Sequence, residues 1–323
     1  LADILAKLRD PTHTQNTTPK QLTNATLRPY QQMGVNWLYF LTELGLGACL
    51  ADDMGLGKTI QIIALLLLRK ETHATPKQPS LLILPASLLA NWKSELQRFA
   101  PSLTAFFLHP SETSRDELDA IAQYPDQLHA YDVVLTTYSL LRRQDWIVEQ
   151  HWDSVILDEA QAIKNPNAKQ TRTIKLLKGR ARIALTGTPV ENRVGDLWSL
   201  FDFLSPGLLG SVNTFKTFIK HLDQQEPVSY EPLRKLVQPY ILRRLKTDKR
   251  IISDLPDKTE LNSYCGLSTQ QTTLYKQAVR ELTLALKDPE LPKIQRRGLV
   301  LNYLLKFKQI CNHPSQALGT GDY

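Results

Sequence analysis

The chain has 323 residues, 42% hydrophobic and 22% charged, with a formal net charge of +7. That length calls for two or three packed units, and the balance is that of an ordinary soluble globular protein rather than a disordered or fibrous one. The longest apolar run, residues 62–68, is too short to span a bilayer. The positive charge suits a polyanionic partner and plain solubility equally well.

Cys49, Cys265 and Cys311 lie far apart and form no C-x-x-C pair. His313 is close to Cys311 but brings no second ligand pair, so no structural zinc set forms. A sparse, odd cysteine count fits a reducing, intracellular compartment: cytoplasm or nucleoid in a prokaryote, nucleus in a eukaryote. The opening "LADILAKLRD" has neither an initiator Met nor a signal-peptide pattern, so the chain is expected to be a piece of something longer.

In chain order, residues 1–26 read as an extension, with a Thr- and Asn-rich linker over 11–26. After Arg28-Pro29 a helix is expected, with Val35, Leu38, Tyr39 and Leu41 on one face. Short apolar runs then alternate with helix-like stretches up to residue 205. The runs are 48–51, 81–84, 133–136, 155–157 and 183–185, and residues 60–69 and 87–99 suit crossover helices. Several runs are continuously apolar, as strands buried on both faces of a parallel sheet are. Residues 27–205 therefore read as one α/β domain. Past Ser205-Pro206-Gly207 the pattern turns mainly helical, and residues 206–323 form a second region. There Ser268 and Gln271 make a capping box. Leu274, Ala278, Leu282 and Ala285 form one apolar stripe, and Val300, Tyr303, Phe307 and Ile310 another. Both read as core packing. A strand near 259–265 could pack on the first domain or begin a further one.

The stretch "LADDMGLGKTIQIIALLLL" (50–68) places Gly57-Lys58-Thr59 between a strand and a helix, the context of a phosphate-binding loop. Backbone N–H groups of the turn and of the helix start would face phosphate oxygens. Gly55 and Gly57 allow close backbone approach, Lys58 reaches the β- and γ-phosphates, and Thr59 holds Mg²⁺. Yet Asp52 stands where the usual pattern has its first glycine. A second acidic element is supplied by "SVILDEAQ". Asp158 and Glu159 leave the carboxyl end of a strand, where open α/β sheets bind ligands. Asp158 can join the Mg²⁺ shell, and Glu159 can orient and deprotonate a water. "LTGTPVEN" (185–192) ends another strand in small hydroxyl residues able to hydrogen-bond that pair.

In this order the elements resemble the SNF2 branch of the superfamily 2 helicase-like ATPases. "LRPYQ" (27–31) looks like the branch's adenine-reading element. "DDMGLGKT" (52–59) is similar to its form of the phosphate loop, in which an acidic residue replaces the first glycine. "LILPASLLANW" (82–92) and "VVLTTYSLL" (133–141) look like its DNA-backbone contacts. "DEAQAIKN" (158–165), "LTGTPVEN", "ILRRLKTDKRIISDLPDKTE" (241–260) and "KQICNHP" (308–314) also match, so the resemblance covers nearly all of 27–314.

The resemblance implies a RecA-like lobe with a mainly parallel sheet, followed by a helical SNF2-type region leading to a second lobe. Gln31 would read adenine. Asp52, Met54, Gly55, Leu56, Gly57, Lys58 and Thr59 would line the ATP site. Thr59 and Asp158 would hold Mg²⁺, Glu159 would be the base, and Gln161 would link the site to the opposing lobe or to DNA. The family translocates on double-stranded DNA and uses that to remodel nucleosomes or strip proteins from DNA, so the partners implied here are double-stranded DNA and nucleosomes, RNA polymerase or other DNA-bound proteins.

No stretch resembles the second lobe's motifs, and Arg243 and Arg244 belong to the connecting segment, not to the arginine fingers. This chain alone is therefore expected to bind ATP and hydrolyse it poorly. Lys293, Arg296, Arg297, Lys306 and Lys308, and a second cluster of Arg243, Arg244, Lys246, Lys249 and Arg250, could track a DNA backbone or simply be solvated. Two other readings compete: a binding scaffold with a vestigial nucleotide site, and a small-molecule kinase. The first is opposed by the intact Lys58, Thr59, Asp158 and Glu159, the second by the additional motifs.

Overall fold

The computed structural model describes residues 17–72, 78–141, 143–187, 194–224, 229–248, 261, 263–287 and 292–319. The chain divides into two compact units, Leu1–Leu255 and Pro256–Tyr323.

In the first unit, helix α1 (Pro29–Glu43) starts at a proline, which has no N–H to leave unpaired, and the Gln31 side chain reaches back to the Arg28 N–H. β1 (Ala48–Leu50) runs through a loop into α2 (Lys58–Thr72). Then come β2 (Ser80–Leu84), α3 (Leu89–Phe99), β3 (Ala105–Phe107), α4 (Arg115–Gln123) and β4 (Val133–Thr137). The short turns α5 (Tyr138–Leu141) and α6 (Trp146–Glu149) lead to β5 (His151–Leu157), α7 (Lys169–Lys175) and β6 (Lys178–Leu185). α8 (Val194–Leu204), α9 (Val212–Asp223), α10 (Glu231–Val237) and β7 (Ile241–Leu242) complete the unit.

The seven strands lie in the order β3-β4-β2-β5-β6-β1-β7, and each of these pairings is parallel. Every residue of β1, β2 and β4 is buried, because helices cover both faces of the sheet. Alternate residues feed opposite layers. Leu50, Leu82, Ile156 and Ile183 pack with Trp37, Ile62, Ile63 and Trp92. Cys49, Leu81, Val155 and Ala184 pack with Ile121, Ile147, Ile174 and Phe203.

All five apolar runs are strands. β3 and β7 were not legible: they have three and two residues, and in β3 only the central Phe106 is buried. Of the linker or loop expected over 11–26, the described part, 17–26, forms no helix or strand. Residues 11–16 lie outside the described set, but 17–24 are tied down: the Lys20 N–H donates to Glu71 (2.9 Å) and the Thr23 N–H to the Phe99 carbonyl (2.9 Å). α8, α9 and α10 share their own apolar cluster around Phe201, Phe215 and Leu233, which runs across residue 206. That cluster nevertheless belongs to the first unit.

The second unit is a helical hairpin, α11 (Thr269–Leu286) and α12 (Lys293–Asn312), followed by α13 (Pro314–Leu318). The Ser268–Gln271 capping box is formed. The two expected stripes meet: Ala278 and Ile310 are buried, and the Tyr275 and Phe307 rings stack at 4.7 Å. Residues 259, 260 and 262 lie outside the described set, and 261 and 263–265 form no strand.

Candidate nucleotide site

Four neighbouring strands, β5, β6, β1 and β7, end level with one another: Leu157 is opposite Ala184, and Leu50 is opposite both Leu185 and Leu242. Their carboxyl ends release, in turn, the Asp158-Glu159 pair, Thr186, the 51–57 loop, and Arg243-Arg244. One end of the sheet thus collects side chains scattered over nearly 200 positions.

The loop turns through Gly55 and Gly57, whose φ angles of 80° and 76° lie in the left-handed region that glycine tolerates. Tyr30 Oη and Gln31 Nε2 each donate to the Leu56 carbonyl at 3.2 Å, and Leu56 packs under Tyr30. Gln31 is therefore bound to the loop itself. Met54 is exposed at the tip. Lys58 Nζ donates to the Asp52 carbonyl (2.6 Å) and more weakly to that of Asp53 (3.4 Å), so the ammonium folds over the loop's entrance. Lys58 and Thr59 occupy the first turn of α2, where N–H groups lack intrahelical acceptors and the helix dipole favours an anion. The Thr59 hydroxyl makes no hydrogen bond among the described residues.

Asp52 is wholly buried. Its carboxylate accepts from Arg244 Nε at 2.8 Å, from Arg244 Nη2, and from Gln61 Nε2 at 3.3 Å. Arg244 is 3% exposed, also donates to the Tyr30 carbonyl and to Gln61 Oε1 (2.8 Å), and lies over the Tyr30 ring. Gly34 in α1 makes room for this cluster, because a Cβ there would come within 2.0 Å of Gln61 Oε1 and 2.8 Å of Arg244 Nη2. The second basic cluster is corrected accordingly. Arg244 does not face solvent, since a buried carboxylate needs its charge, and Lys249 and Arg250 lie outside the described residues. In the first cluster, Lys306 is paired with Glu281 at 2.9 Å.

Asp158 is nearly buried. One carboxylate oxygen accepts from Trp92 Nε1 (2.7 Å) and the other from the Glu159 N–H (2.9 Å). Burial pushes its pKa above the usual carboxylate range. The Trp92 donor opposes that shift, the Glu159 charge adds to it, and Lys58 pulls it down. Glu159 has φ 50° and ψ 55°, a left-handed conformation rare for a side-chain-bearing residue and associated with functional sites. Its carboxylate accepts from Gln161 Nε2 (2.6 Å), and Gln161 Oε1 accepts from Thr186 Oγ1 (3.3 Å). Thr186 thus reaches the acidic pair through Gln161. Residues 188–192 of the same motif lie outside the described set.

The donor chemistry suits Mg²⁺. The Thr59 hydroxyl and the Asp158 carboxylate are hard oxygen ligands, and this ion keeps waters and substrate phosphates for the rest of its shell. Sequence reasoning missed Trp92 as the partner of Asp158, and Arg244 and Gln61 as the partners of Asp52. The indole lies within a stretch read as a DNA contact, and Arg244 is 192 positions from Asp52.

A parallel sheet whose β1 and β5 ends, on either side of β6, carry a glycine-turned loop closing in Lys-Thr and an Asp-Glu pair has the layout of a nucleotide-binding ATPase domain. The chain belongs to the SNF2-related domain family, whose model matches residues 30–316. It is 45% identical over 294 residues to the putative ATP-dependent helicase/translocase YwqA of Bacillus subtilis, covering 90% of this chain and 31% of that protein. It is 36% identical to the TATA-binding protein-associated factor mot1 of Schizosaccharomyces pombe, covering 91% of this chain and 16% of that one. It also resembles the Sulfolobus solfataricus SWI2/SNF2 ATPase core in complex with dsDNA, with a TM-score of 0.67 and 44% identity. That match covers 94% of this chain and 62% of the other. The chain thus spans about a third or less of these two curated relatives. Among the described residues no helix is long and apolar enough to cross a membrane.

Proposed function

We propose that this chain is the ATP-binding lobe of a motor that moves along double-stranded DNA to remodel or displace proteins bound there. The observation that carries the reading is the convergence of the phosphate loop and the Asp158-Glu159 pair at one end of the sheet, in a chain 44% identical to an ATPase core solved in complex with dsDNA. The relatives include a TATA-binding protein-associated factor, which supports DNA-bound proteins as the cargo class; nucleosomes and RNA polymerase are members of it.

In this reading the adenine base meets Gln31, whose amide leaves the Leu56 carbonyl to read it. The N–H groups of 54–59 cradle the phosphates, with Asp52 as the buried foot of the loop. Lys58 swings from the Asp52 carbonyl onto the β- and γ-phosphates. Thr59 and Asp158 hold Mg²⁺, which when bound neutralises charge developing on the transferred phosphoryl group. Glu159 accepts the proton of the attacking water. Gln161, bonded to both Glu159 and Thr186, reports the state of the base to the end of β6 and onward to DNA or the opposing lobe.

Turnover by the chain alone is slow. Arg244 is committed to Asp52, and an arginine finger is worth roughly 10³–10⁵ in rate in related phosphoryl-transfer sites. The test is ATP turnover with and without duplex DNA, alongside calorimetric Mg-ATP binding to the wild type and to Lys58→Ala. Binding that Lys58→Ala abolishes, with turnover far below that of a two-lobed relative, is expected. Absence of Mg-ATP binding overturns the reading, and fast DNA-stimulated turnover overturns the need for a finger from outside these residues.

A further inference from the structure

Asp52 lies within the phosphate loop and Arg244 on the strand end beside it, and no catalytic step above uses their pairing. It is one part of a larger seam. The Ala51 N–H donates to the Leu242 carbonyl (2.7 Å), the Asp53 N–H to the Arg244 carbonyl (3.0 Å), and the Lys246 N–H to Asp53 Oδ2 (3.0 Å). With the β1–β7 pairing, the entrance of the loop is stitched residue by residue to 241–246. The carbonyl that receives Lys58 Nζ belongs to Asp52 itself. A buried carboxylate without its counter-charge costs several kcal/mol, so Asp52 and Arg244 hold each other in place.

From this we infer that Arg244 is a positioning residue for the phosphate loop. Through Asp52 it fixes the loop's entrance, and it makes nucleotide affinity depend on the path of residues 241–248. The inference rests on the ATP-site reading above. It also gives a physical reason for an acidic residue at position 52: a glycine there would leave the guanidinium without its partner and the loop without its anchor. Coupling of this kind is reciprocal. Nucleotide that settles the loop also settles 241–248, and displacement of that segment loosens the phosphates.

The experiment compares wild type, Arg244→Met, and Asp52→Asn combined with Arg244→Met. Mg-ATP affinity is measured by calorimetry and the apparent Tm without ligand by scanning. Arg244→Met strands a buried charge, so its Tm falls; the double variant removes that charge, and much of the Tm returns. If Arg244 positions the loop, the double variant still binds Mg-ATP about tenfold or more weakly, a difference of about 1.4 kcal/mol. In the wild type, Mg-ATP also slows hydrogen exchange at the Lys246 amide, and the double variant loses that protection. A double variant that binds within about twofold of wild type and keeps the protection overturns the inference and leaves Arg244 a purely structural residue. Wild-type chain that binds no Mg-ATP overturns the site reading, and this inference with it.

Discussion

The two units are built on opposite terms. In the first, a sheet is closed on both faces, and residues such as Leu65 on α2 and Cys49 on β1 have no exposure at all. In the second, α11 and α12 meet along one seam, Ala278 and Ile310 are buried, and Leu301, Leu304 and Leu305 are more than half exposed. The candidate nucleotide site, whose proposed chemistry needs groups held within a fraction of an ångström, lies in the first unit, where packing over-determines position. Across the hairpin seam lie the Tyr275–Phe307 stack, the Lys306–Glu281 pair and the Gln271 amide donating to the Ile310 and Cys311 carbonyls.

The sharpest way to break this contrast is thiol chemistry. Burial pushes the Cys49 thiol up to about 12, with Asp52 adding to the shift and Lys58 opposing it. Cys49 therefore stays a thiol near neutral pH. Ellman's reagent should label Cys265 and Cys311, both exposed, in the native protein, and Cys49 only on unfolding. Native labelling of Cys49 would mean that the sheet opens. Next in size, Leu65→Ala should cost about 2–5 kcal/mol in urea unfolding followed by tryptophan fluorescence. All five tryptophans lie in the first unit, so that signal reports it alone.

A third test bears on Asp158. Removing its indole donor with Trp92→Phe should weaken Mg-ATP binding about tenfold, as loss of an outer-shell partner of a metal ligand does. The pH dependence has a definite sign. Because the folded pKa is raised, the stability of the nucleotide-free protein due to Asp158 is full at low pH and is lost as pH rises through that pKa. Mg-ATP affinity runs the other way, falling as pH falls through the same window. Trp92→Phe removes a lowering contribution, so calorimetric titrations should show the window moving to higher pH. Smallest of all, Leu305→Ala on the hairpin should change unfolding followed by circular dichroism by less than about 0.5 kcal/mol.

What the sequence made legible follows from the same contrast. Continuous apolar runs such as 81–84 announce strands covered on both faces, and the capping box at Ser268 announces a helix start, because each signal is local. The two-residue β7 carries no such signal; it exists through its pairing with β1. Glycines 55 and 57 could be read as a turn, and Asp158 as the end of a strand. That the Trp92 indole bonds Asp158, or that Gln161 bridges Glu159 and Thr186, depends on which strand ends become neighbours. The strand order decides that, and one sequence does not state it.

Gly34 carries a consequence for anyone altering the protein. A glycine inside a helix normally invites replacement by alanine, for a gain of about 1 kcal/mol. Here the missing methyl group is a keyhole: filling it would drive against the Gln61 amide and the Arg244 guanidinium and unseat the foot of the 51–57 loop. Across relatives, glycine at position 34, aspartate at 52 and arginine at 244 should therefore be inherited as a trio, and a chain that has exchanged one of them should have exchanged the others.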